Sequence, residues 1–420
     1  MTSRSANNNS ALVLPGGGAR GAFQVGVLKA IAELIPPRAC NPFPVISGTS
    51  AGAINSVVLA SKARHYSIAV DELERVWSHF RSKQVFRTDS WTMLKSSLHW
   101  MTAIVFGGLV VGAPHSLLDN SPLRSLLSRN VRFPRIQTSI DNGYLDAVAV
   151  TAASYGSARS MTFFQAAKGK QPWARTRRIG VRQELHLNHL MASIAVPMIF
   201  PPVSIGGEYF GDGAMRQATP LSPAIHLGAD RILVVGVRDE TADPAADPRS
   251  PQEFPSLAQI AGYMLDTLFM DGLYSDLERM TRINQLVDSV EPLKRSGTLI
   301  KMRPIDTMII VPSEDLRVLA HRHRKALPAP LRALLRGVSG RDPSENRLLS
   351  FLLFERAYTQ ELIDLGYKDA MAVKDQLRAF VMGEDVPRLF APTWVAQDLT
   401  GSTTEMRHRV PGTPYSPRHR

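Results

Sequence analysis

The stretch FPVISGTSAGAINSVVLASKA, residues 43–63, runs an apolar segment straight into a helical one, with a glycine-flanked serine at the junction. FPVISGTS (Phe43 to Ser50) predicts a buried strand, and AGAINSVVLASKA predicts a helix. Between them, Gly48-Thr49-Ser50-Ala51-Gly52 forms a G-x-S-x-G pentapeptide. Strand before and helix after is the context that a nucleophile elbow requires. Gly48 and Gly52 let the sharp turn pack without Cβ clashes. The turn lifts the Ser50 hydroxyl clear of the sheet, and the helix N-terminus favours negative charge developing there. Such pentapeptides also arise by chance, so the flanking sequence has to add weight.

Upstream, ALVLP (Ala11 to Pro15) predicts another buried strand, and AFQVGVLKAIAELI (Ala22 to Ile35) predicts a helix stopped by Pro36-Pro37. GGGARG, Gly16 to Gly21, lies between them. Without side chains, backbone N–H groups there can converge on a negative group at the helix N-terminus. Gly16, Gly18 and Gly21 also satisfy the G-x-G-x-x-G dinucleotide fingerprint, which wants an acidic residue at a strand end ~20 residues on. Glu33 instead falls inside the first helix, and the next strand has no acid near its end. The other readings are a tight turn without ligand, and an oxyanion hole built from the amides of Gly17, Gly18 and Ala51. Further on, Gly211-Asp212-Gly213-Ala214 follows the strand-like VSIGGEYF. Alone, an Asp-Gly pair reads as a turn.

The glycine loop, the serine elbow and the Asp-Gly pair, in this order on one α/β core, resemble the patatin-like phospholipase family. The resemblance runs from about Ala11 to Val237 and includes GGGARGAFQVGVLKA, GTSAG and DGA. ASIAVPMIFPPV (Ala192 to Val203) looks like the family's run of small residues and prolines ahead of the aspartate. What the resemblance implies is a three-layer α/β/α fold and a Ser–Asp dyad that cleaves acyl esters of membrane lipids without metal or cofactor. It makes Ser50 the nucleophile and Asp212 its base, with the oxyanion hole at Gly16, Gly17 and Gly18, Arg20 beside them, and Ala51. FLLFERAYTQELIDLGYKDA, residues 351–370, is similar to bacterial members but holds no motif with arguable chemistry.

LDAVAVTAA (Leu145 to Ala153) and RILVVGV (Arg231 to Val237) predict further strands, and LNHLMASIAV (Leu187 to Val196) a helix broken at Pro197. Apolar strands alternating with helices predict an α/β layer fold with a mostly parallel central sheet. Beyond it the pattern is helical over Ser256 to Val290, Glu314 to Leu335 and Leu348 to Phe380. Thr307 to Pro312 is a strand able to return to the main sheet. The expected organisation is a disordered arm at 1–10, a catalytic core at 11–240 and an exposed connection at 241–256. A mainly helical part at 257–390 packs on the core, and a disordered tail fills 391–420.

A hydrophobic share of 44% and a charged share of 20% are ordinary for a globular chain. The net charge of +12 is spread without aromatic interleaving, so no nucleic-acid signature emerges. Cys40 is the only cysteine, which excludes an intramolecular disulfide and a cysteine zinc site. No H-E-x-x-H or EF-hand loop is present. MTSRSANNNS lacks the apolar region of a signal peptide, and MTAIVFGGLVVG (Met101 to Gly112) falls short of the ~20 residues of a spanning helix. The expectation is a cytoplasmic or peripherally membrane-associated protein acting on phospholipid or another acyl-ester lipid. Arg64, Lys83, Arg87 and Lys95, with Met101 to Gly112, offer a basic, apolar rim for anionic membrane; solvated charge beside a buried segment explains them equally well. Two alternatives stand beside the dyad. One is a Ser-His-Asp esterase using His226, His321 or His323, with His186 and His189 poorly placed in chain order. The other is a nucleotide-binding protein using GGGARG.

Overall fold

A computed structural model describes residues 9–87, 116–238, 260, 262–264, 267, 272–289, 303–339 and 345–391. In chain order the strands are β1 (Ser10–Leu14), β2 (Val45–Thr49), β3 (Ala147–Ser154), β4 (Ser160–Ala166), β5 (Trp173–Arg175), β6 (Arg178–Arg182), β7 (Val203–Ile205), β8 (Glu208–Asp212), β9 (Arg231–Val235), β10 (Asp306–Ile310) and β11 (Leu389–Phe390). They join one sheet in the order β11-β10-β9-β1-β2-β3-β4-β6-β5, with β8 added to β3 and β7 to β8.

Every pairing from β11 to β3 is parallel. Parallel strands covered on both faces must be apolar throughout, and β1, β2 and β3 are buried at every residue. Past β3 the sheet turns mixed, with β4 antiparallel on β3 and β5 antiparallel on β6. Helices flank this sheet to give the expected α/β/α layering. Those that bear on the site are α1 (Gly21–Leu34), α2 (Ala51–Ser61), α3 (Tyr66–Trp77), α4 (Ser121–Asn130), α5 (Leu187–Ser193), α6 (Gly272–Ser289), α7 (Glu345–Leu352) and α8 (Arg356–Ala372). Because α1 packs against both α3 and α8, it is buried from Gly21 to Leu28 rather than along one stripe.

Several sequence expectations shift. Ser10 belongs to β1 and is buried, not part of an arm. The helix expected to Val196 ends at Ser193, the chain having left helical geometry ahead of Pro197. The helix expected over 314–335 divides into Leu316–Arg322, a 3-10 turn at Arg324–Ala326 and Ala329–Ser339, with Pro328 at the second break. That expected over 348–380 divides into α7, α8 and Lys374–Met382. The strand at 307–312 does return to the sheet, as β10 between β9 and β11. Residues 1–8, Lys95, Met101 to Gly112, the 241–256 connection and the tail beyond residue 391 lie outside the described residues. Of the basic rim, Arg87 is ion-paired with Asp119 at 3.0 Å. No helix among the described residues is long and apolar enough to cross a membrane.

Candidate active site

The chain order places two loops at the carboxyl end of the sheet, where it reverses direction. From β1 the sheet grows one way through β2 and β3 and the other way through β9 and β10. Ligands in open α/β sheets settle at such a switch point. The glycine loop leaves β1 there, and Ser50 leaves the neighbouring β2.

Ser50 has φ 53 and ψ −127, a left-handed conformation rare for a side chain with a Cβ. Such a backbone costs on the order of 1–3 kcal/mol and persists only where its surroundings impose it. Here they do. A Cβ on Gly52 would collide with the Leu14 carbonyl, and one on Gly48 with the Gly52 carbonyl, so the elbow closes only with glycine at both positions. The Ser50 N–H donates to Ser193 Oγ at 2.9 Å, and that hydroxyl donates to the Thr151 carbonyl at 2.7 Å.

Asp212 ends β8 and is 1% exposed. Its N–H donates to the Ala195 carbonyl at 2.8 Å, and its Oδ1 accepts from the Ala214 N–H at 2.9 Å. Oδ2 is buried without a hydrogen-bond partner among the described residues. Burial pushes the carboxyl up to about 7, against the opposing pull of the Ser50 hydroxyl and the Ala214 N–H. Ser50 is thus close enough to favour the carboxylate, yet it completes no hydrogen bond to Oδ2. Catalytic pairs often stay this loose until substrate tightens them.

Polar side chains behind the pair hold it. Thr49 Oγ1 bonds Gln217 Oε1, whose amide nitrogen reaches Thr151 Oγ1 at 3.4 Å. Behind the glycine loop, Gln24 donates to the Pro15 carbonyl at 2.9 Å and accepts from Asn55 at 3.0 Å, and Trp77 Nε1 donates to Asn55 at 2.9 Å. The sequence assigns Ser193, Gln217, Gln24 and Asn55 no site role: Gln24 lies in GGGARGAFQVGVLKA and Ser193 in ASIAVPMIFPPV, but neither stretch singles them out, and Gln217 and Asn55 belong to no motif.

Gly18 and Ala51 border the same cavity as Ser50, whereas Gly16 and Gly17 do not. Gly18 has φ +55, and a Cβ there would strike the Phe351 carbonyl of α7. Arg20 is 2% exposed and faces the C-terminal part. Its Nε and Nη2 donate to Ser350 Oγ at 3.0 and 2.6 Å, and its guanidinium lies 3.9 Å above the Phe351 ring. The side chain expected beside the oxyanion glycines therefore pins α7 over the loop. The cavity at Ser50 measures about 50 Å³, and its wall includes Trp77, Phe80, Leu123, Phe200, Phe351 and Phe354. Trp77, Phe80 and Phe354 pack with centroids 5.0 to 6.5 Å apart.

No histidine borders this cavity among the described residues. His226 stacks on Trp173, His321 meets Arg324, and His323 bonds Glu361. His186 and His189 cap the start of α5. Glu33, weighed for a ribose, accepts from Tyr367 at 2.7 Å. No group of His, Cys, Asp and Glu side chains among the described residues is arranged to hold a metal ion.

No curated protein matches this chain. Among solved structures it is similar to VipD from Legionella pneumophila, at 13% identity over 88% of this chain and 67% of that one, with TM-score 0.33. It is also similar to ExoU, in complex with SpcU from the type III secretion system of Pseudomonas aeruginosa, at 14% identity, 81% and 76% coverage and TM-score 0.24. Likeness this distant carries no argument about activity. A family model described as patatin-like phospholipase matches residues 12–225, just over half of the chain, from β1 through the elbow and Asp212. The chain belongs to the patatin-like phospholipase family, and that membership supports a lipid-hydrolysing enzyme.

Proposed function

We propose that the chain hydrolyses fatty-acyl esters of lipids, phospholipids or lysophospholipids, with Ser50 as nucleophile and Asp212 as its base. The observation that carries this reading is the buried Asp212 carboxyl, its Oδ2 without a hydrogen-bond partner among the described residues and close enough to the Ser50 hydroxyl to feel its pull. A free aspartate near its ordinary value takes a hydroxyl proton poorly, and burial to about 7 improves the match while leaving about half of the carboxyls ionised and able to act as base at neutral pH.

In the first half-reaction Ser50 Oγ attacks the ester carbonyl carbon as its proton passes to Asp212. The C=O π pair moves to oxygen, and in this reading the backbone amides of Gly18 and Ala51, which border the cavity with Ser50, receive that oxyanion. Collapse breaks the bond to the alcohol oxygen, which takes the proton from Asp212 and leaves an acyl-serine. Water then repeats the sequence with Asp212 as base, releasing fatty acid and restoring Ser50. Gly17 supports the loop conformation from behind, packed on Val237. The apolar wall suits an acyl chain, but 50 Å³ holds only a few atoms. Long chains enter only as the aromatic wall parts.

Lipid-class profiling of hydrolysis products, run beside Ser50→Ala, tests this reading. Fatty acid and lysolipid should appear with wild type alone. Equal release by Ser50→Ala would remove the assignment.

A further inference from the structure

The loop that follows Asp212 borders a second depression, an open groove of about 810 Å³ that shares no lining residue with the cavity at Ser50. Its walls come from the β5–β6 hairpin, from the loop 214–219 and from α6. Five arginines line it: Arg175, Arg177 and Arg178 from the hairpin, Arg216 from the loop and Arg279 from α6. All but Arg178 are exposed. None of the five forms an ion pair with a carboxylate among the described residues. Arg175 donates to the Ala174 carbonyl at 2.9 Å and Arg178 bonds Thr219 Oγ1, so even the bonds they make are to neutral groups.

One acid lies near them, Asp276 of α6, and Arg279 and Arg178 favour its ionised form. Burial pushes the Asp276 carboxyl up, and its Oδ2 is already engaged by the Leu221 N–H at 3.1 Å. The field of the cluster is also felt by His226, held down to about 4 by burial first and then by Arg175 and Arg178. Gathering five like charges around a single nearby acid costs folding free energy, and an anion seated in the groove offsets that cost. Arginine forks match phosphate oxygens bidentately, and a phosphomonoester brings close to two negative charges and three acceptor oxygens. Ser160 and Thr176 add hydroxyls to the same walls.

We propose that this groove binds a phosphomonoester, carried on a lipid headgroup or on a small soluble molecule. Its tie to catalysis rests on the hydrolase reading above. Gln217 lines the groove and bonds Thr49, the residue before Ser50, so an occupant lies one hydrogen bond from the strand that leads to the nucleophile. With Ser50 bordering the apolar cavity and the loop after Asp212 bordering the cationic groove, the two surfaces complement the two ends of a phosphorylated lipid.

The test uses the whole chain and phosphatidylcholine vesicles doped with phosphatidic acid, or with phosphatidylserine at matched surface charge. Phosphatidic acid vesicles should bind more tightly, and the R175Q/R177Q variant should lose roughly tenfold or more of that affinity. Both side chains are exposed, and unfolding melts confirm the variant's fold; R216Q/R279Q, drawn from separate elements, should reproduce the loss. Titration with glycerol 3-phosphate separates the sources: binding with the same arginine dependence shows that a soluble phosphomonoester suffices, and binding to vesicles alone assigns the lipid headgroup. Ser50→Ala should bind as wild type does, so phosphate binding and hydrolysis can fail separately. Equal affinity for the two vesicle types, or no effect of either double substitution, overturns the proposal. So does tighter, arginine-dependent binding of a single-stranded oligonucleotide, which would assign the groove to nucleic acid.

Discussion

Thr49 and Asp212 pair with consecutive residues on the same edge of β3, Thr49 with Thr151 and Asp212 with Ala152. The opposite edge of β3 is occupied by β4 along this whole length. Parallel β2 therefore stops where antiparallel β8 arrives, and the two strands meet end to end. Backbone ladder geometry, not loop packing, sets the approach of Ser50 to Asp212. Residues 193 and 195 brace the junction from one side, Ser193 holding the Ser50 N–H and Ala195 the Asp212 N–H.

Ser193→Ala tests that brace. It leaves the Ser50 N–H and the Thr151 carbonyl without their partner, both buried, at a cost of about 1–3 kcal/mol. Turnover should fall more than KM rises, because the elbow moves relative to Asp212 while the acyl cavity is intact. Steady-state kinetics beside thermal unfolding checks this; unchanged turnover at lowered stability would mean that the brace serves the fold alone.

Asp212 also makes stability depend on pH in an unusual direction. Its folded value of about 7 lies above the ordinary 3.8, so between about pH 4 and pH 7 the folded chain keeps a proton that the unfolded chain has shed. Stability falls as pH rises through that window, by at most ~4 kcal/mol at one pKa unit per 1.36 kcal/mol. Asp212→Asn escapes the penalty. It should melt higher than wild type above pH 7 while inactive, with the gap closing below pH 4. A pH-independent gap would show that the carboxyl is not held neutral by burial.

The strands that build the site's centre were legible because they are buried on both faces: ALVLP, FPVISGTS and RILVVGV admit few other readings. The β5–β6 hairpin was not, since WAR and RIGVR are short, charged and half exposed at the edge of the sheet. Its arginines look like scattered surface charge until the hairpin folds beside Arg216 and Arg279. Ser50 and Asp212 stand out through their glycine neighbours. Arg20 shows the limit of that signal, because its place in the motif says nothing of where its side chain turns, and only the packing of α7 reveals Ser350 and Phe351 as its partners.

Gly18→Ala should disable the site at small chemical cost. It asks alanine to hold φ +55 and to push a Cβ into the Phe351 carbonyl. Turnover should drop by ~10²–10³, the range of a lost oxyanion donor. Wild-type turnover in the folded variant would move the oxyanion site away from Gly18.

Chain-length preference should respond to Leu123. Leu123, Ile54, Trp77 and Phe80 border both the cavity at Ser50 and a second apolar cavity of about 30 Å³ reaching Val58 and Leu127. Leu123→Ala opens one into the other, at a stability cost of about 2–5 kcal/mol. Across p-nitrophenyl esters of increasing length, the optimum should shift to longer chains. An unchanged profile would place the acyl chain elsewhere.

The dyad is tested most directly by the rate at which a fluorophosphonate probe labels Ser50 as a function of pH. Labelling should rise with pH through about 7, as Asp212 loses its proton, and be absent in Ser50→Ala. In Asp212→Asn it should fall by ~10²–10⁴ and lose that inflection. Labelling of folded Asp212→Asn at the wild-type rate, with loss of labelling on changing His226, His321 or His323 to Ala, would contradict the account.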